Sequence, residues 1–527
     1  MCGIAYIAGP GASQATFRAM LDAIRPRGEV EEVLVGDGLL AGTQRLRIVD
    51  SARAVQPWVS GDGRWLLCYN GELYNYRALR DELRTAGRSF RSDSDTEVVL
   101  EAFLHWGERA VSRMRGEFAF VIADRSTGRS YLARDPIGVK PLYWSVRGGR
   151  LHVASEIKAL TSIGAPVSSV PGGQHGWAEP GGQPGLAPYT DLLTGPAGPV
   201  ITDPNEAAVL VRTALRDSIR VRVETEHTVG VILSGGLDSS LTLAHARAMH
   251  PDCVAFTIGS PDSPDIGYAR RLAADLGVPH EVIEMSPRDI RLGEIRTAIE
   301  ISELTEYGDI INAVVSVPLF RRIAERGVRV VLTGDGSDEL FGGYPMYAQV
   351  SRAQEERLFL HKVTNLGRTE LQRVDRTSMA HGVEARVPFL DPAMVALARR
   401  LPTDLKVRDG SEKWILRQAF SDLLPGYILR RPKNPMSYSS GLHERARMYK
   451  PLFARIHRSF GYHLHEPVRR DFSIVLEQCG NDLDEALARA DERPDYSTRE
   501  HARDLAGAAR WNAASLVGGL TGAGRAR

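Results

Sequence analysis

Two hydrophobic periodicities divide the chain. Up to about residue 165 the apolar residues come in short alternating runs separated by turn residues, a pattern of strands, with helical spacing near 14–25, 75–86 and 94–106. From Asp203 onward, helical stretches alternate with continuous apolar runs at Val229 to Leu233, Val254 to Ile258 and Val328 to Leu332. Continuous apolarity predicts strands covered on both faces. Strand and helix in alternation predict an α/β domain with a doubly wound parallel sheet, whose ligands belong at the carboxyl ends of its strands. Between the halves, residues 165 to 200 hold eight glycines and seven prolines with little periodicity, so a connecting segment is expected over 166–202. The expected domains are thus 1–165 and 203–450, followed over 451–527 by an Arg- and Ala-rich helical extension with a frayed glycine-rich tail.

The run Val229 to Leu233 ends abruptly in Ser234-Gly235-Gly236-Leu237-Asp238-Ser239-Ser240, and helical spacing resumes after Ser240. Small residues between a strand and a helix N-terminus offer backbone N–H groups and hydroxyls to an anion, which makes this stretch a phosphate cradle. No Gly-Lys-Ser/Thr follows the glycines, so it is not the common P-loop. A carboxylate, Asp238, sits inside it, and a carboxylate beside phosphates calls for a bridging cation, Mg²⁺. The third run delivers Thr333-Gly334-Asp335-Gly336-Ser337-Asp338-Glu339. Three acids within five residues need a metal or a cationic side chain to neutralise them, and Asp338 is the natural partner of Asp238 on one Mg²⁺.

In the first half the chemistry starts at Cys2. With Met1 removed, its α-amino group, with an ordinary pKa of about 8, can take the proton of a thiol whose ordinary pKa is about 8.5. The thiolate can then attack an amide carbonyl. Asn70-Gly71 reads as a turn closing a strand, where a side-chain amide and a glycine N–H can hold an oxyanion. Arg45 offers a fork for a carboxylate, while Glu72 and Asp95 can hold an ammonium. A free amino acid with an amide side chain has all three features.

Composition adds exclusions. The 527 residues carry 66 Lys and Arg against 65 Asp and Glu, a net charge of +1, which favours neither nucleic acid nor a membrane surface as partner. No apolar run is long enough to span a bilayer and the N-terminus lacks signal-peptide character, so the expected compartment is the cytoplasm. Cys68, Cys253 and Cys479 have no metal-ligand spacing and read as small hydrophobes.

The Ser234 loop resembles the pyrophosphate-binding loop of the ATP pyrophosphatases, which split ATP to AMP and pyrophosphate. The stretches Met1-Cys2-Gly3-Ile4, Arg45 to Asp50, Gln56-Pro57, Asn70 to Asn75, Ala133 to Tyr143 and Ala154 to Leu160 resemble the glutaminase domain of glutamine-hydrolysing asparagine synthetases. That resemblance implies an N-terminal-nucleophile α/β/β/α sandwich followed by an adenine-nucleotide hydrolase-like domain. It implies that Cys2 forms a glutamyl thioester and releases ammonia, that Asn70 and Gly71 form the oxyanion hole, and that Arg45, Asn70, Glu72 and Asp95 bind glutamine. The second half is similar to the synthetase domain through Ser234 to Ser240, Phe256 to Gly259, Thr333 to Tyr344, Gly382 to Asp391 and Glu412 to Arg417. There the resemblance places adenine against the backbone of Leu233, Ile258 and Gly334. It seats ATP on Ser234, Gly235, Gly236, Asp238, Ser239, Ser240 and Thr333, and Mg²⁺ on Asp238 and Asp338. Asp335 takes part in forming an acyl-adenylate, Lys413 steadies developing negative charge, and ammonia crosses between the sites inside the protein. The run Arg134 to Tyr143 is expected to serve packing. A homodimer is compatible with this reading.

Two departures from the family pattern stand out. Arg27-Gly28-Glu29-Val30 replaces the usual Arg-Gly-Pro-Asp, so an active glutaminase is expected whose hydrolysis is either slower or more dependent on occupancy of the second site. Segment Ile310 to Pro318 lacks the arginine of aspartate-using members, and Pro435 to Gly441 lacks their Phe-Ser-Asp-Gly loop, so a less polar acceptor acid fits Val314, Val315 and Met436. The expected activity is an ATP-dependent amide ligase giving AMP and pyrophosphate, with aspartate or a related carboxylic acid as acceptor. Its rivals are an amide synthetase or cyclase that has abandoned glutamine, a tRNA-modifying pyrophosphatase and a nucleotide-binding regulator.

Overall fold

The computed structural model describes residues 1–36, 38–50, 52–348, 351, 354–432, 442–461 and 472–490. Its N-terminal half contains two six-stranded antiparallel sheets. The first runs, edge to edge, through Ser168–Ser169, Tyr143–Arg147, Arg150–Ala154, Cys2–Ala8, Leu39–Arg45 and Val30–Gly36. The second runs through Gly185–Pro188, Gln174–Ala178, Arg129–Arg134, Gly116–Asp124, Trp65–Leu73 and Trp58–Val59. Side-chain alternation sorts each strand between layers. Ile4, Tyr6 and Ala8 point inward against Leu66, Cys68 and Val121 of the other sheet. Ala5 and Ile7 point outward to Phe17, Met20 and Leu21 on helix Gln14–Ala23. On the far side, Leu67, Tyr69, Phe118 and Phe120 pack on Leu79, Leu83, Val98 and Phe103 from helices Tyr76–Thr85 and Asp95–Trp106. The result is a four-layer α/β/β/α sandwich.

The glycine- and proline-rich segment 166–202 corrects the sequence reading. Ser168–Ser169, Gln174–Ala178 and Gly185–Pro188 are strands of the two sheets, so the first half reaches Pro188 before the chain crosses over. Pro188 is tolerated because its strand lies at an edge, where a missing N–H removes no ladder bond. Asn70-Gly71 is a second correction. The pair lies inside strand Trp65–Leu73, facing Ala119 and Phe118, and forms no turn. Gly71 is required by close strand approach, since a Cβ there would lie 2.5 Å from the Glu117 carbonyl oxygen.

The second half opens with helix Pro204–Arg222 and builds a five-stranded, wholly parallel sheet in the order His280–Glu284, Cys253–Gly259, Val229–Ile232, Val330–Leu332, Glu384–Arg386. Numbered along the chain that order is 3-2-1-4-5. The direction of winding therefore reverses between Val229–Ile232 and Val330–Leu332, and a crevice opens at their carboxyl ends. Both motif loops, Ser234 to Ser240 and Thr333 to Glu339, leave the sheet at that point. Helices cover both faces, forming two clusters that meet on the sheet. The described part of the C-terminal region is helical, with Phe453 and Phe472 joining apolar clusters of the second half. Among the described residues no helix is long and apolar enough to cross a membrane.

Candidate active sites

Helix Leu237–Met249 starts four residues earlier than its periodicity predicts, with Gly236 as its N-cap, so Asp238, Ser239 and Ser240 occupy its first turn. Gly235 adopts φ +68°, and a Cβ there would lie 2.6 Å from that of Tyr268, leaving no space for a side chain. The Ser239 hydroxyl takes the Ser234 N–H at 3.2 Å, and the Ser234 hydroxyl takes the Gly236 N–H at 3.3 Å. The Ser240 hydroxyl is buried with no hydrogen-bond partner among the described residues. Leu233 is fully buried and its N–H is bound to Phe256 at 2.8 Å, while Ile258 continues the adjacent strand. Gly334 lies against this loop, where a Cβ would sit 3.1 Å from that of Asp238 and 3.2 Å from the Ser239 nitrogen.

The acidic loop comes to the same place. Ser337 donates to Asp238 at 2.7 Å, and the Lys413 ammonium bridges Asp238 and Asp338, the latter at 2.5 Å. Burial alone would lower the Lys413 pKa; the two aspartates outweigh it and hold the ammonium charged well above the lysine range. Asp335 is neutralised separately by Arg373, 2.6 Å away, and the same guanidinium donates to Ser316 at 3.2 Å. Glu339, buried beside Glu370 and Asp338, hydrogen-bonds Tyr344 and is pushed up to about 7. A cavity of about 190 Å³ between the loops is lined by Ser234, Asp238, Thr333, Asp338, Lys413 and Arg431. Val314 and Val315 lie instead in the apolar cluster with Ile295 and Ile299, so they are core rather than acceptor contacts. Met436 and the rest of Pro435 to Gly441 fall outside the described residues.

The other site is some distance along the chain but built from the same logic of converging strands. Cys2 stands on a central strand of one sheet and Asn70 on the strand next to the edge of the other, and the Asn70 side-chain oxygen accepts the Cys2 N–H at 3.0 Å. That leaves the Asn70 amide nitrogen buried with no partner among the described residues. Gln56 reaches the Cys2 sulfur with its side-chain nitrogen at 3.4 Å. Burial pushes the Cys2 thiol up, against lowering by the chain's amino terminus, the Leu46 N–H and Arg45. Asp95 accepts from the Tyr69 hydroxyl at 3.0 Å and the Leu73 N–H at 3.1 Å, and burial raises its pKa. Burial drives Glu72 up to about 8, although Arg386 lies 3.5 Å away. Arg45 pairs across the strand ladder with Glu32 at 3.0 Å. A cavity of about 680 Å³, lined by Glu72, Arg80, His227 and Arg386 among others, lies beside this corner, while Cys2 and Asn70 are buried and do not line it. The altered segment near residue 28 has split roles. Arg27 is buried and donates to the Cys2 carbonyl at 3.2 Å, whereas Glu29 turns outward to Arg329 at 2.8 Å.

The run Arg134 to Tyr143 folds into a self-satisfied corner. Arg134 donates to the carbonyls of Gly138, Lys140 and Val170, and Asp135 accepts the N–H groups of Gly138, Val139 and Lys140. Sequence reasoning passed over Gln56, Arg27, Arg373 and Arg431 as functional contacts. Arg431 holds Asp265 and donates to the Ser234 carbonyl at 3.0 Å. The charge-dense stretch Arg373-Val374-Asp375-Arg376 was the available signal for one of them, since three charges within four residues of a buried helix demand partners.

The matching family models are a glutamine amidotransferase domain over residues 1–170 and asparagine synthase over 210–361 and 349–472. Asparagine synthetase B [glutamine-hydrolyzing] of Escherichia coli is 32% identical over 430 residues, covering 78% of this chain and 76% of that protein. Asparagine synthetase [glutamine-hydrolyzing] 3 of Arabidopsis thaliana is 33% identical over 431 residues, covering 76% and 71%. Asparagine synthetase [glutamine-hydrolyzing] 1 of Bacillus subtilis is 27% identical over 502 residues, covering 74% and 78%.

Proposed function

The chain belongs to the glutamine-hydrolysing asparagine synthetase family, and from that premise we propose that it is an ATP-dependent ligase moving the amide nitrogen of glutamine onto a carboxylic acid. Residues 1 to about 190 are the ammonia-releasing module, and the module from about 203 onward forms the new amide. The observation that carries the reading is the presence of two side-chain clusters in one chain. Cys2 faces an unspent Asn70 amide at one, and Asp238 and Asp338 converge on Lys413 at the switch point of the other.

At the first site, with Met1 removed, the Cys2 amine takes the thiol proton and the sulfur attacks the amide carbon of glutamine. The oxyanion gains the Asn70 amide N–H and the Gly71 N–H. The Cys2 ammonium returns that proton to the departing nitrogen, collapse expels ammonia and leaves a thioester, and water hydrolyses it to glutamate and the free thiol. Glu72 and Asp95 hold the substrate ammonium, and Arg45, whose guanidinium is paired with Glu32 in this structure, turns an N–H to the substrate carboxylate. At the second site the loop from Ser234 to Ser240 cradles the phosphates of ATP, with the unpartnered Ser240 hydroxyl as one donor. The acceptor carboxylate attacks the α-phosphorus, pyrophosphate leaves, and ammonia then attacks the acyl carbon and expels AMP. Lys413 lies where both the pentavalent phosphorus and the leaving pyrophosphate gather negative charge. Asp238 and Asp338 are hard oxygen donors converging on one cation, so they fit Mg²⁺, which when bound would screen the phosphate charge.

Aspartate or a related acid is the acceptor. Arg373, beside Ser316 and Asp335, brings a guanidinium to the segment whose own arginine is absent. Pyrophosphate release with ammonium chloride and a panel of carboxylic acids tests this reading: aspartate-class acids should give AMP and pyrophosphate in equal amounts. No release with any acid would overturn it. Cys2→Ala should bring glutamine-dependent product to background while leaving ammonia-dependent product within about twofold. Equal loss of both would show that the thiol serves structure.

A further inference from the structure

Helix Glu370–Met379 lies between the two halves, and Leu371 through Met379 are all buried. Its residues separate by helical period into two faces. Gln372, Asp375, Arg376 and Met379, spaced i, i+3, i+4 and i+7, meet the first half. Gln372 accepts from the Tyr143 hydroxyl at 3.1 Å. Met379 packs on Leu46. Asp375 takes Arg27 in a two-pronged pair at 2.8 and 3.1 Å. Arg376 donates to Asp375 at 3.0 Å and to Glu303 at 2.9 Å, and Glu303 accepts the N–H groups of Ile157 and Lys158. On the other face, Arg373 holds Asp335 at 2.6 Å.

Arg27 has three acceptors fixing it: Asp375, Glu156 at 2.8 Å, and the Cys2 carbonyl at 3.2 Å. The first two set the plane of the guanidinium, and the third transmits that plane to the residue bearing the sulfur. Every member is at most 5% exposed at its side chain, so no water competes for these bonds. A carboxylate from the amide-forming half thus anchors the backbone of the nucleophile in the ammonia-releasing half. Two residues earlier on the same helix, a guanidinium anchors the acid of the other site.

Building on the two-site reading above, we propose that Asp375 is a positioning residue for glutamine hydrolysis, acting through Arg27 on Cys2. We assign to its helix the mechanical link between the sites. Motion of Asp335 when acceptor and ATP bind moves Arg373, and the rigid helix carries that shift to Asp375 and Arg27. The link is a pair of side chains on one buried turn, a contiguous path of the kind that can hold two discrete arrangements.

The test measures glutamate release and ammonia-dependent pyrophosphate release on the same preparations of wild type, Asp375→Asn and Asp375→Glu. Glutamate release is read with and without ATP plus acceptor. For Asp375→Asn, kcat for glutamine hydrolysis should fall about tenfold to a hundredfold, with KM for glutamine changed less than about threefold. Ammonia-dependent pyrophosphate release should stay within about twofold, and any stimulation of glutamate release by ATP plus acceptor should disappear. Asp375→Glu, which keeps the charge, should recover part of the loss and serves as the reading if the asparagine variant does not fold. Unchanged hydrolysis, or both activities falling in proportion, would overturn the positioning role while leaving the two-site reading intact. Wild type that releases no glutamate would overturn the two-site reading and this inference with it.

Discussion

Gly343 shows how little freedom the amide-forming site allows a single residue. A Cβ at that position would lie 1.8 Å from a carboxylate oxygen of Asp338 and 2.5 Å from the Lys413 side chain. Even the smallest side chain must therefore push the carboxylate and the ammonium out of register. Gly343→Ala should lower ammonia-dependent pyrophosphate release by at least about tenfold, because misplacing reacting groups by an ångström is costly. Glutamate release from glutamine should stay within about twofold, and parallel assays on one preparation check both numbers. Residues of this kind were legible in the sequence where a motif is contiguous. Asp238 and Asp338 each stand in a run of small residues at the mouth of an apolar strand, and the structure joins them on Lys413. Gln56, Arg27 and Arg373 were not legible as contacts, because a lone amide or guanidinium declares its role only through partners distant in the chain. The Arg27–Asp375 pair spans 348 positions.

At the scale of elements, strand Trp65–Leu73 carries Asn70 and Gly71 by continuing its ladder straight through them. Asn-Gly is a strong local turn signal, yet the alternation of Tyr69, Gly71 and Leu73 against Phe120, Phe118 and Gly116 extends past it, and tertiary pairing wins. Gly71→Ala sets a Cβ 2.5 Å from the Glu117 carbonyl oxygen and 2.7 Å from the Phe118 α-carbon. Both are backbone atoms of the neighbouring strand and cannot rotate away. The variant should lose about 1–3 kcal/mol of stability in urea unfolding, as overpacking does. A loss below about 0.5 kcal/mol would mean that the strands part more easily than this packing implies. The helices were the most readable elements, their periodic runs agreeing with the structure to within a few residues. The strands between 168 and 188 were hidden by their own composition. Edge strands tolerate the prolines and glycines that signal a linker, and nothing local distinguishes the two.

Across the whole molecule, the halves are joined by buried charge. Arg27, Glu156, Asp375, Arg376, Glu303 and Lys158 form one network, and Arg115, Glu117, Lys140, Arg222 and Asp391 form another, each with members from both halves. Such groups lose hydration on burial and recover it only through complete pairing, so removal of one member costs more than the pair contributes over an apolar contact. Although burial works against the charged form of Asp375, Arg27 and Arg376 prevail and bring it down to about 2, and Glu156 is likewise held low by Lys158 and Arg27. A carboxyl with a depressed folded-state pKa contributes stability that is present above its unfolded value, about 4, and is lost as the pH falls towards 2. Glu156→Gln removes one such acid while leaving Arg27 its bonds to Asp375. At pH 7 it should lower the unfolding free energy by about 3 kcal/mol, the scale of a broken buried pair. The gap between variant and wild type should shrink steadily below pH 4 as the wild-type carboxyl takes up its own proton. Chemical denaturation of both proteins from pH 7 to pH 2 measures it. A gap constant across that range would mean that Glu156 acts through shape rather than charge, and that the join between the halves is not electrostatic at this position.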